Sequence, residues 1–176
     1  MILFKTLRTD VLLRMVRCKM LWVLLCWVVG LLLGTVIAAR IDPSSFSLMR
    51  RTASSQVSIV DRFIAAAFPF LIAAYAVYMN RPKLLLAVCF CKAFCFSFCA
   101  FIIIASFGTA GWLVQPLLQF TDICIIPVFC WFCVRNVSGK RKSWKKDALV
   151  CLIFAAITAT ADYWIVAPFL AKLIDI

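Results

Sequence analysis

Apolar and polar positions alternate along this chain in blocks. Five long apolar runs, 20–39, 62–79, 84–106, 112–134 and 148–170, are divided by short segments that collect nearly all the charge. A helix needs roughly 20 apolar residues to cross a bilayer, and each run is close to that length. The pattern predicts an all-α protein: a polytopic transmembrane helical bundle of about five spans. The third and fourth runs are joined only by Phe107-Gly108-Thr109-Ala110-Gly111, so they are expected to form an antiparallel helical hairpin at the centre of the fold. Three elements follow: a basic segment over 1–19, a membrane domain over 20–170 and a short tail over 171–176.

The punctuation is specific. Asn80-Arg81-Pro82-Lys83 reads as a tight turn, with Asn80 as a cap and Pro82 in the first turn of the next helix. In the longest connection, Arg40 to Asp61, Ser45 is placed to cap a short helix and Asp61 to cap the second span. Prolines at Pro69, Pro116, Pro127 and Pro168 mark expected bends. In residues 1–19, Asp10, Arg14 and Arg17 share one helix face while Lys5, Arg8 and Lys19 fall opposite. That distribution does not indicate a helix lying in the membrane surface. The first run is longer than a typical signal-peptide apolar region and reads as an uncleaved anchor.

Composition agrees. Of 176 residues, 66% are hydrophobic and mean hydropathy is +1.07, against about 45–50% apolar for globular chains. The net charge of +12 is gathered between the runs, so topology and anionic lipid headgroups account for it and nucleic acid is not expected as a partner. Thirteen Lys and Arg fall in 1–19, 80–83 and 135–147, and four or five in the alternate segments. By the positive-inside rule this predicts a cytoplasmic N-terminus, an outer C-terminus and a multi-pass protein of the cell membrane. His is absent, which removes His-ligated haem, His-based metal sites and Ser-His-Asp catalysis. No cofactor, metal site or catalytic residue is expected.

Candidate chemistry is confined to the membrane interior. Asp122 lies mid-run, where an acid costs roughly 2.5–3.5 kcal/mol on insertion scales. Gln115, Gln119 and Asp122 are spaced i, i+4, i+7 on one face. Asp162 stands at similar depth in the last run, one turn from Thr158, and Lys92 enters from the basic side within reach of Asp122. Lys92, Gln115, Gln119, Asp122 and Asp162 therefore form a candidate polar cluster. It reads either as structural glue or as a proton or solute path. Gly30-Leu-Leu-Leu-Gly34 matches the small-xxx-small pattern of close helix packing. Ten Cys lie almost entirely inside the runs and read as small packing residues, including the Cys91, Cys95 and Cys99 stripe. Cys130-Trp-Phe-Cys133 is a CxxC match for thiol–disulfide chemistry, but it falls on the cytoplasmic edge, away from an oxidising side.

The layout resembles the stage II sporulation protein M family: a basic start, a first span with Gly30 and Gly34, an outer loop, then a compact helical domain. The stretch Gly111-Trp112 through Leu117-Leu118-Gln119-Phe120-Thr121-Asp122-Ile123-Cys124-Ile125-Ile126-Pro127 looks like that family's late helix. Family members tend to carry Pro-His-Gly, then an acid and a second proline. Here Pro127 matches, the His and acid positions are not kept, and Thr121 and Asp122 stand near them. The resemblance implies a non-enzymatic membrane scaffold or assembly component, anchoring a cell-envelope complex together with other membrane or envelope proteins. A small permease or transporter subunit is the alternative, its small-molecule substrate not legible.

Overall fold

The computed structural model describes residues 2–41, 58–137 and 143–174, with side chains for 20–41, 58–137, 143–170 and 172. The expected cap at Ser45 lies outside the described residues, as do Arg50, Arg51, Lys140, Arg141 and Lys142. The described residues are helical, without strands. In chain order they form α1 (Ile2–Ala38), α2 (Ile59–Tyr78), α3 (Pro82–Phe107), a 3-10 turn (Gly108–Ala110), α4 (Gly111–Leu118), α5 (Phe120–Asn136), α6 (Trp144–Ala161), a π-helical turn (Asp162–Val166) and α7 (Ala167–Ile174). Four helical stretches are long and apolar enough to cross a membrane: Met20–Ala38, Ile59–Tyr78, Pro82–Leu118 and Trp144–Leu170.

Two boundaries differ from expectation. The cap of α2 is Ser58: its Oγ accepts from the Asp61 N–H (3.2 Å) and donates to the Asp61 carboxylate (2.8 Å), so Asp61 is the reciprocal partner at N3. Asn80 closes α2 instead of opening α3. Its φ of 53° is left-handed, which Asn tolerates, and Arg81 N–H bonds Ala76 O (2.9 Å) while Asn80 N–H bonds Val77 O (3.1 Å). That pair of bonds is a Schellman termination. Pro82 then stands at N1 of α3 as expected.

The hairpin forms at Gly108, whose φ of 60° and ψ of −132° suit glycine. Beyond it α4 runs back along α3. A Cβ on Gly111 would sit 2.6 Å from Ile104 Cα, so the two backbones touch there. Open space surrounds Gly108 itself. Gly108→Ala is therefore expected to cost about 1–3 kcal/mol through backbone strain alone, read as a lowered unfolding midpoint with unchanged oligomer size in detergent.

The run at 112–134 is not one helix. It is interrupted at Gln119 (φ −106°, ψ 20°), between α4 and α5. Pro116, lacking an N–H, sits one turn before the break. The last span also departs from regular α geometry, at the π turn that begins with Asp162. The first helix, by contrast, extends well beyond its apolar run, back to Ile2.

Packing follows a four-residue rhythm. Leu85, Cys89, Ala93 and Ser97 form the inward row of α3, and Ala66, Phe70, Ala73 and Val77 that of α2. They meet Ile125, Phe129, Phe132 and Cys133 of α5 and Cys151 and Ala155 of α6. Phe70 and Phe129 cross edge to face at 5.5 Å. Helix α1 lies parallel to α3. A Cβ on Gly30 would meet Phe90 O at 2.7 Å and Ala93 Cβ at 2.9 Å, and one on Gly34 would meet Ser97 Oγ at 2.1 Å. The Gly30/Gly34 face is thus closed within the chain. Large apolar side chains point outward all round, as lipid-facing positions do.

The cysteine stripe is corrected. Cys91 and Cys95 are exposed and Cys99 half-buried, whereas Cys89, Cys133 and Cys151 are buried. The packing row includes Cys89, and the 91/95/99 row faces away from the core.

Candidate intramembrane polar site

The site follows from the hairpin register. Lys92 and Asp122 stand at nearly equal distances on either side of the turn at Gly108, so antiparallel packing of α3 against the returning chain brings them level. Lys92 Nζ lies 2.5 Å from Asp122 Oδ1. The Lys side chain is 11% exposed and the Asp side chain 34%. The break at Gln119 puts Asp122 in the first turn of α5, where an acid faces the positive end of the helix dipole.

The two glutamines extend the site toward the turn. Gln115 Nε2 donates to Gln119 Oε1 (2.8 Å), and Gln119 Nε2 donates to the backbone carbonyl of Phe96 on α3 (3.1 Å). Gln119 is buried, and this bond pins the broken helix to its neighbour exactly where its own geometry fails.

Asp162 belongs elsewhere. Its carboxylate pairs with the Arg62 guanidinium of α2, with Asp162 at 10% and Arg62 at 21% side-chain exposure. The two helices run antiparallel, with the Tyr78 and Trp144 rings in contact at 6.1 Å at their other ends. About the same length of helix separates Tyr78 from Arg62 and Trp144 from Asp162, so the pairing is a register match. The π turn starts at this residue; such turns often mark sites where a side chain is re-aimed. Thr158 does not join the acid: its Oγ1 donates back to Phe154 O (3.0 Å).

Arg62 begins the second apolar run, and its distance along the chain from Tyr78 is the signal in the sequence for its partner. A third pair also went unanticipated. Arg135 Nε, at the end of α5, lies 3.0 Å from Asp147 Oδ2, in the first turn of α6, and the guanidinium stacks 5.1 Å from the Trp131 ring. It ties the two helices together across their connection.

The CxxC cysteines are free thiols, Cys130 half-buried and Cys133 buried. Among the described residues, no group of three or more His, Cys, Asp or Glu side chains is arranged to hold a metal ion. Comparison with protein-family models, with curated proteins and with solved structures finds no match to this chain.

Proposed function

We propose that this chain is a multi-pass scaffold or assembly component of the cell membrane, with no catalysis of its own. In this reading it crosses the bilayer five times, the α4–α5 unit being the broken crossing, with the N-terminus on the cytoplasmic side. Trp144 and Trp164 lie 20 residues apart on the last span. At 1.5 Å per residue that is about 30 Å, the thickness of the hydrocarbon core, and matches the two aromatic belts of a membrane protein.

The observation that carries the reading is the use of the charges. Arg62, Lys92, Asp122 and Asp162, the four Lys, Arg or Asp side chains inside the apolar runs 20–39, 62–79, 84–106, 112–134 and 148–170, are all paired, and each pair joins two different helices. Charge placed this way specifies which helices are neighbours, and it suits a rigid platform. The resemblance to the stage II sporulation protein M family points the same way and suggests a cell-envelope complex as cargo. Purification from mild detergent with mass spectrometry of co-purifying proteins tests this. Cell-wall hydrolases or other envelope proteins are the expected companions, and recovery of the chain alone argues against it.

One observation favours a transporter subunit instead. The break at Gln119 beside Asp122 has the form of a discontinuous membrane helix, the device on which many transporters build ion sites. Under that reading Asp122→Asn abolishes a proton-coupled flux in proteoliposomes. Under the scaffold reading it changes no flux.

A further inference from the structure

We propose that the corner formed by the α2–α3 turn and the start of α6 binds the headgroup of an anionic phospholipid. The Tyr78–Trp144 ring contact holds the end of α2 against the beginning of α6. It thereby brings the turn that carries Arg81 and Lys83 to the same end of the bundle as the first turn of α6, which carries Lys145 and Lys146. All four basic side chains are exposed, and none has an ion-pair partner among the described residues. The neighbouring acid, Asp147, is buried and ion-paired with Arg135 on the α5 side. The corner therefore carries four uncompensated positive charges beside two amphipathic rings.

Depth identifies the occupant. Tyr78 is the last residue of one apolar span and Trp144 the first of another, so the corner lies at the level where lipid phosphates sit. Tyr and Trp prefer that level because one part of the ring system is apolar and the other hydrogen-bonds. Basic residues there attract anionic headgroups. Phosphatidylglycerol, with one net negative charge, fits this chemistry. Phosphatidylcholine, whose own cation offsets its phosphate, fits it poorly.

The test is native mass spectrometry of the full chain released from mixed micelles containing phosphatidylglycerol and phosphatidylcholine in equal amounts. The wild type is expected to retain phosphatidylglycerol preferentially. Each basic residue near the membrane surface strengthens such binding about five-fold, so Arg81→Gln/Lys145→Gln/Lys146→Gln together are expected to reduce retention by about 100-fold. Lys5→Gln/Arg8→Gln/Arg14→Gln removes the same charge from α1 and is expected to leave retention close to wild type. Equal retention of the two lipids by the wild type, unchanged retention in the corner variant, or equal loss in both variants overturns the proposal. Should the triple variant not fold, Lys145→Gln/Lys146→Gln replaces it, with an expected loss of about 25-fold and the same overturning results.

Discussion

Gly34→Leu is expected to abolish the α1–α3 contact. The first added carbon would already lie 2.1 Å from Ser97 Oγ and 2.5 Å from the Phe94 carbonyl oxygen. The Ser hydroxyl can rotate away, but the carbonyl belongs to the backbone of α3 and cannot yield without moving that helix. Overpacking of a rigid interface costs about 1–3 kcal/mol and more where backbone must shift, so a loss of about 3 kcal/mol or more is expected. The measurement is thermal unfolding in detergent, with size-exclusion chromatography to follow aggregation. Gly34→Ala/Ser97→Gly separates the two contacts: it relieves the hydroxyl clash and leaves the carbonyl clash, so partial recovery relative to Gly34→Ala is expected. Because this face is occupied within one chain, Gly34→Leu should act at the level of the monomer. An intact, stable monomer with only a lost dimer would contradict the packing described here.

The second large effect concerns Lys92 and Asp122. Lys92→Met leaves the Asp122 carboxylate unpaired between α3 and α5, and Asp122→Leu strands the ammonium. Removing one member of a buried pair costs about 3–5 kcal/mol, because the survivor keeps its desolvation penalty and loses its partner. Replacing both by apolar residues removes the penalty with the pair, so Lys92→Met/Asp122→Leu is expected to be much less destabilised than either single variant and close to wild type. A double-mutant cycle by thermal or chemical unfolding reads the coupling directly. The same variant divides the functional readings. A scaffold carrying the apolar double substitution still captures its partners. A transporter that moves protons through Asp122 is inactive in the same variant, however well it folds.

The pairings also explain what could be read in the chain before its structure. Helix positions follow from run length, since in lipid the backbone must satisfy its own hydrogen bonds and only a helix does so within one segment. The Lys92–Asp122 contact was legible for the same reason: a turn of five residues fixes the register of a hairpin, and the two charges are nearly symmetric about Gly108. Gly30 and Gly34 were legible as a packing face because no other residue permits backbones to approach so closely.

Other features were decided only in three dimensions. Which face of a span points inward is nearly invisible in a chain whose lipid-facing and core-facing residues are equally apolar, because the hydrophobic periodicity that orients a soluble helix is absent. Thus Cys89 packs and Cys91 does not, a distinction that composition cannot draw. The partner of Asp162 depends on the alignment of α2 with α6, helices separated by most of the chain, and no local signal sets that alignment. The interruption at Gln119 lies three residues beyond Pro116, and its fixed place reflects the long-range bond to Phe96. The sequence by itself determined the long apolar helices, the central hairpin and its charge pair, since these are consequences of hydropathy and short connections. Tertiary structure decided which surfaces those helices bury, where the fourth run breaks and which helix supplies the partner of Asp162, since these depend on packing between segments remote in the chain.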